Sequence, residues 1–375
     1  MSKKSAGIYC DHLKPFESFA TNSYGIDLDS LVINIREGRY NSYSILSEFT
    51  TYLQDLNYNK PLSTITLRNR VKVVKNFLEF NDVDISDNKF RLKVRLPKAI
   101  RKSKEALTKD DVRDIILACS EIRLKTYVMF LASTGMRAVE ALSIRLKDIS
   151  FDSNPVRVAI RGEYTKTQQG RYVYLTSEMV QQLNLWLDYK YRHHRSCYAD
   201  KNGSYKSEYV TPVRKPDGLV FAIYNKSADS DLQTIYVNMA KSYANMLDRI
   251  GKGDREDNNN KRRKITFHSF RRFIKSTISD LGYSDYSEWF IGHSGSTYYR
   301  KTEKEKAEIF RKIEPYLTFL DYSELEARGA DVVTKLQEKD KQIEALTKKQ
   351  EQFESMIQSL IDSGQLRPAI NNVKA

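Results

Sequence analysis

The chain has 375 residues, 40% of them hydrophobic, which is enough for two or three cores and too long for one small module. Lysine and arginine total 62 against 48 aspartates and glutamates, a formal charge of +14, so a polyanion is the favoured partner, nucleic acid before membrane. No apolar run approaches the roughly 20 residues of a membrane span, the opening MSKKSAGIYC lacks a signal-peptide core, and Cys10, Cys119 and Cys197 are too scattered for a disulfide framework; a soluble cytoplasmic protein is expected.

Residues 1–40 are read as an N-terminal extension. Two apolar patterns with helical spacing follow: Leu46, Phe49, Tyr52, Leu53 and Leu56, then Ile65, Val71, Val74, Phe77 and Leu78. Pro61 to Thr64 separates them as a turn and helix start, and Arg68, Arg70, Lys72 and Lys75 lie on the second helix's polar faces, suited to phosphates or simply to solvent. These two helices define a small helical unit over 41–92. From Arg91 to Lys104 seven basic residues and a proline occupy fourteen positions, an extended basic linker by composition (93–104).

Thr108-Lys-Asp-Asp111 resembles a capping box opening a helix with Val112, Ile115 and Ile116 inside. Between Tyr127 and Leu146 a helix–turn–helix-like stretch breaks at Thr134-Gly135 and resumes at Met136. Val156 to Ile160 and Arg171 to Leu175 fit a β-hairpin with a mobile tip; helices return after Ser177, and 200–215 and 251–264 read as loops. The cluster His193-His194-x-x-Cys197 lacks a second ligand pair at finger spacing and reads as a solvated loop, not a metal site. Over 323–362, Val332, Leu336, Ile343, Leu346, Phe353, Ile357 and Leu360 keep a heptad seam interrupted by Lys339 and Gln350: a coiled coil or one amphipathic helix folded back, before a tail at 363–375.

Phosphodiester chemistry without a metal needs a nucleophile, cations for the non-bridging oxygens and an acid for the departing oxygen. One such set occurs in order. Arg137 lies in S-T-G-M-R-A-V-E-A-L, Lys166 in the hairpin tip, His268 and Arg271 in H-S-F-R-R, and His293 in I-G-H-S-G, with Tyr298 and Tyr299 directly after. The T-G-M-R-A-V-E, H-S-F-R and I-G-H blocks, with a basic hairpin between, resemble the tyrosine recombinases, also called the phage-integrase family, in the form found in archaea and mobile elements. Residues 105–322 are similar to that family's catalytic domain and 41–92 to its helical core-binding domain. The fold implied is mainly α with a small β-hairpin or sheet (α+β).

The resemblance implies a function: site-specific recombination of double-stranded DNA through a 3′-phosphotyrosine bond, without cofactor or metal, by a homo-oligomer that is tetrameric on paired sites. Arg137 and Arg271 would clamp the scissile phosphate, His268 would assist proton transfer and His293 would hydrogen-bond the phosphate. Lys166, the only lysine between Lys147 and Lys190, would protonate the 5′ oxygen. Tyr299 is preferred over Tyr298 as nucleophile, although both follow His293 more closely than the family pattern has it. A type IB topoisomerase and a non-catalytic DNA-binding or architectural protein remain as alternatives. The apolar stretch from Ile309 to Leu320 either docks on a neighbouring protomer or closes its own core.

Overall fold

The computed structural model describes residues 3–56, 62–98, 106–165, 168–199, 203–223, 231–256, 262–293, 299–320, 346, 349–350 and 353–356. Lys166, Tyr298 and most of the heptad segment lie outside them. The chain forms two compact units, Met1–Ala106 with Ala244–Thr266, and Leu107–Tyr243 with Phe267–Ala375. None of the described helices is long and apolar enough to cross a membrane.

The first unit is built from α1 (Lys3–Phe19), α2 (Leu28–Arg36), α3 (Ser42–Asp55), α4 (Thr64–Phe80) and α5 (Asp87–Lys93). Asp27, Asn41 and Ser63 start α2, α3 and α4 by accepting hydrogen bonds from first-turn N–H groups. Most of the expected pattern on α3 and α4 faces inward, with Leu46, Phe49, Leu53, Val71, Val74 and Leu78 buried, whereas Leu56 and Ile65, at the ends of the two helices, are exposed. It does not close a core alone. Phe16, Phe19, Leu31 and Ile35, from the segment read as an extension, fill the same cluster, Phe16 lying edge-on to Phe49 at 5.0 Å between ring centres. At the other end Arg91 and Lys93 belong to α5 and Val94 is buried, so an extended linker does not begin at Arg91. Lys75 is not an open cation: only 9% exposed, it pairs with Glu79 at 2.5 Å and Asp87 at 3.2 Å.

In the second unit α6 (Lys109–Ala118) opens with the expected capping box, Thr108 accepting from the Asp111 N–H while the Asp111 carboxylate accepts from the Thr108 N–H. The central helix α7 (Ile122–Thr134) is buried along most of its length and packs on α9 (Ser177–Lys190) and, beyond α10 (Leu232–Arg249) in chain order, on α11 (Phe267–Asp280); α11 packs in turn on α12 (Ser284–Ile291). A sheet of β1 (Ile149–Ser150), β2 (Arg157–Ile160) and β3 (Arg171–Tyr174) runs antiparallel, with Ile160 opposite Arg171 at the mouth of the expected hairpin. Where loop was expected at 200–215, β5 (Tyr205–Val210) pairs with β4 (His194–Ala199) as a second hairpin. The His193–Cys197 cluster therefore leads into a strand: His193 hydrogen-bonds Thr211 and stacks on Tyr209. No residue of β5 is buried, so no apolar period marks the strand in the sequence, which explains why composition read as loop.

The segment after the tyrosines closes its own unit. In α13 (Glu303–Ile313) and the turn beyond it Ile309, Phe310, Ile313, Leu317 and Phe319 are buried, and Phe310 packs on Phe290 and Tyr174. Arg113 donates to the Phe319 carbonyl and Glu178 accepts from the Phe319 N–H, both at 2.9 Å. In the heptad segment Leu346 and Phe353 are helical and exposed.

One half-buried cation in this unit ties α9 to a neighbouring loop. Lys190 donates to the Val220 carbonyl at 3.2 Å and to that of Leu219, no carboxylate among the described residues pairs with it, and burial lowers its pKa to about 8. Below that pH both the folded and the unfolded chain carry the ammonium and the full cost of burying it is present. As pH rises towards the ordinary 10.5, the folded chain loses the proton first and stability grows. Lys190→Met is therefore expected to raise Tm near pH 7, with the gain shrinking as pH approaches about 10. Thermal melts across that range check it, and a gain independent of pH contradicts it.

Candidate active site

Arg137 owes its place to the residue two before it. Gly135 ends α7 in the left-handed conformation (φ +62°), and a Cβ there would lie 3.0 Å from a methyl of Ile274 and 3.1 Å from one of Ile291. No other residue type fits this turn without strain. The turn leaves the chain extended at Arg137, which caps α8 (Ala138–Leu142) instead of lying within a helix. The Glu140 carboxylate accepts from the Arg137 backbone N–H at 3.0 Å and from its Nη1 at 2.6 Å. Glu140 is 1% exposed and takes a second guanidinium, Arg171 Nη2, at 2.7 Å. Burial pushes the Glu140 carboxyl up, but hydrogen bonds and charge from Arg171 and Arg137 outweigh it and hold the group below the usual carboxylate range.

Arg271 enters from α11. Only 3% exposed, it donates from Nη1 to the Gly135 carbonyl at 2.9 Å, while its Nη2 is buried with no hydrogen-bond partner. Burial, followed by the charge of Arg137, lowers its pKa to about 10. A buried guanidinium nitrogen with an open donor, beside a second arginine, is a site that wants an anion. His268 lies one turn earlier on α11, on the same face; burial, then the charges of Arg271, Arg272, Arg137 and His293, lower its pKa, so its neutral form is favoured.

His293 follows Gly292, the left-handed cap of α12 (φ +68°). Its Nδ1 lies 2.5 Å from Glu288, whose other oxygen pairs with Lys275 at 2.6 Å. Arg137, His268, Arg271 and His293 are thus brought together by the ends of three helices: the charges of Arg271, Arg137 and His293 act on His268, and that of Arg137 acts on Arg271.

Tyr299 is held elsewhere. Its ring stacks on Trp289 at 5.9 Å, meets Tyr286 edge-on at 6.1 Å and has Lys306 over it at 5.6 Å. Burial, then the carboxylates of Asp285 and Glu305, raise its pKa to about 12. It makes no hydrogen bond, ring contact or charge interaction with the four cationic residues. Lys166 and Tyr298 fall outside the described residues. Glu140, Arg171, Lys275 and Glu288 were not singled out as site residues from the sequence. Glu140 was within reach, three residues after Arg137 at capping-box spacing, whereas nothing local marks Arg171, which meets Glu140 only through the fold.

Among the described residues no group of three or more His, Cys, Asp or Glu could hold a metal ion.

Residues 105–285, just under half of the chain, match the model of the phage integrase family. Among its relatives, the Tyrosine recombinase XerA of Saccharolobus solfataricus is 30% identical over 119 residues, 32% of this chain and 37% of that protein. Transposase A from transposon Tn554 of Staphylococcus aureus is 26% identical over 220 residues, 49% of this chain and 58% of that one. The chain thus spans less than two thirds of either relative's length. A crystal structure of the XerH site-specific recombinase bound to difH substrate superposes with a TM-score of 0.49 at 18% identity, over 80% of this chain and 76% of that one.

Gly135→Ala is expected to destabilise the chain by about 2 kcal/mol, because it combines a left-handed φ with a closed space. Gly7→Ala in α1, where a Cβ meets nothing, is expected to be neutral or stabilising. Urea unfolding of both variants measures this, and equal effects contradict it.

Proposed function

We propose that this chain is a site-specific DNA recombinase that cuts and rejoins double-stranded DNA through a 3′-phosphotyrosine intermediate. The observation that carries the reading is the pair of half-buried Arg137 and buried Arg271, tied through Gly135 and Glu140, with Arg271 Nη2 open. Two guanidinium groups fixed in this way match the non-bridging oxygens of one phosphodiester, and fixed charge stabilises the pentacoordinate transition state without reorganisation. The match of residues 105–285 to the phage integrase model, and the likeness to relatives named recombinase and transposase, support it.

In the forward step the phenol oxygen of Tyr299 bonds to phosphorus as the bond from phosphorus to the 5′ oxygen breaks. His268, favoured as the neutral imidazole, accepts the phenol proton; Lys166 gives its proton to the 5′ oxygen; His293 and the two arginines hold the phosphate. A 5′ hydroxyl from a partner strand reverses the step, restoring the diester with no net change in bond energy. Covalent transfer through a phosphotyrosine calls for no cofactor or metal. Four copies on paired sites give integration or excision of a mobile element, and a DNA substrate places the work in the cytoplasm. We assign 41–92 as the core of the DNA-gripping helical domain, joined by the basic linker to the catalytic domain at 105–322. Arg68, Lys72 and Arg91 line one cleft of the helical domain and suit a phosphate backbone.

A nicked suicide duplex drawn from a randomised pool, incubated with the full chain in EDTA, is expected to yield a covalent adduct on a denaturing gel. Tyr299→Phe abolishes it and Tyr298→Phe spares it; the reverse pattern moves the nucleophile to Tyr298. No adduct from any site leaves a DNA-binding protein, and relaxation of supercoils without joining of paired sites indicates a topoisomerase. Arg68→Ala, Lys72→Ala and Arg91→Ala are each expected to lower the slope of log affinity against log salt by about 0.9 on intact duplex. Unchanged slopes remove that cleft from the interface.

A further inference from the structure

We propose that Arg171 is the positioning residue of this site: it holds the Glu140 carboxylate so that Arg137 keeps donors free for the phosphate, an inference that rests on the recombinase reading. Arg171 begins β3, where it pairs with Ile160 across the hairpin mouth, five residues after Lys166. Its side chain is 8% exposed, so it does not itself meet DNA. Its Nη2 lies 2.7 Å from Glu140 Oε2 and its Nη1 3.5 Å from Oε1. The fork of one arginine therefore covers both oxygens of the carboxylate, and Arg137 reaches it through Nη1 and the backbone N–H alone.

The consequence follows from the charges. A carboxylate almost wholly removed from water attracts whatever cation is near, and a lone Arg137 would turn its own fork onto it bidentately. With Arg171 in place that demand is met from behind, and the remaining donors of Arg137 are left for an anion. Arg171 also lies against the chain at Gly292. A Cβ there would fall 2.6 Å from Arg171 Nε and 2.7 Å from Cζ, so the guanidinium rests on the backbone one residue before His293. One side chain thus joins the start of α8, the end of α12 and the mouth of the hairpin, the three pieces that carry Arg137, His293 and Lys166.

The test uses single-turnover adduct formation by the full chain on a nicked site selected from the randomised pool, made with either the natural phosphodiester or a neutral methylphosphonate at the scissile position. Arg171→Gln is expected to slow adduct formation about 100-fold on the phosphodiester, the size of effect that a misplacement of about 1 Å produces. Half-saturation by DNA is expected to stay within about threefold. On the methylphosphonate, where the charge that Arg137 serves is absent, the deficit shrinks about tenfold or more. Arg171→Gln combined with Glu140→Gln, which removes the carboxylate that captures Arg137, is expected to recover at least about tenfold over Arg171→Gln alone. Equal deficits on the two substrates, or no recovery in the double variant, reduce Arg171 to a purely structural residue and overturn the proposal. Adducts formed equally fast by all variants overturn it as well. Absence of an adduct from the unsubstituted chain tells against the recombinase reading itself and takes this inference with it.

Discussion

The Glu140 carboxylate is out of water, and taking a carboxylate and its guanidinium partners into a protein interior costs several kcal/mol per ion unless every lone pair and donor is matched. Here the match is made by a backbone N–H and two arginines drawn from two segments, the cap of α8 and β3, around a carboxylate that α8 carries. Such an arrangement is all or nothing: removing one member leaves a buried charge uncompensated, so the surrounding elements are held to one geometry. That single constraint fixes Arg137 in rotamer and direction, and through the Gly135 carbonyl it is coupled to Arg271.

Two glycines set the chain directions that make this possible. Gly135 and Gly292 each end a helix in the left-handed conformation, and each sits where a side chain would collide, the first with Ile274 and Ile291, the second with Arg171. Ile274 and Ile291 are core residues of α11 and α12, so the turn that presents Arg137 is pressed against the helices that carry Arg271 and lead to His293. Packing and site geometry are the same contacts seen from two sides. An aliphatic enlargement at either isoleucine would be felt at the arginines before it was felt in the far core.

Much of this was legible in the amino-acid order because the relevant signals are local. The capping box at Thr108, the break at Thr134-Gly135, the apolar stripes of α3 and α4 and the hairpin around Lys166 are each written within a few residues. The one-turn spacing of His268 and Arg271 likewise put them on one face of a helix. What was not legible depends on distant partners. Lys75 looked like an open basic residue until Asp87, twelve positions on, folded back against it. Phe16 and Phe19 lie in a stretch with little periodicity, and their burial comes from α3. Arg171 reads as an ordinary strand residue, since the carboxylate that defines its role is thirty-one positions away.

The separation between Tyr299 and the cations is the last element to interpret physically. A phenol whose pKa is raised to about 12 by burial and by the carboxylates of Asp285 and Glu305, stacked on Trp289, is a weak nucleophile. The cations, meanwhile, repel one another: Arg137 depresses Arg271, and both depress His268. A phosphodiester entering between them removes that repulsion, so binding of the anion is favoured by the very strain its absence creates. The same anion in place presents the phosphorus to which a phenolate would bond, and its charge increases as the fifth ligand approaches. In the proposed reaction, DNA therefore completes the site electrostatically before any tyrosine need approach, and an undocked phenol is kept from reacting until a phosphate has organised the arginines.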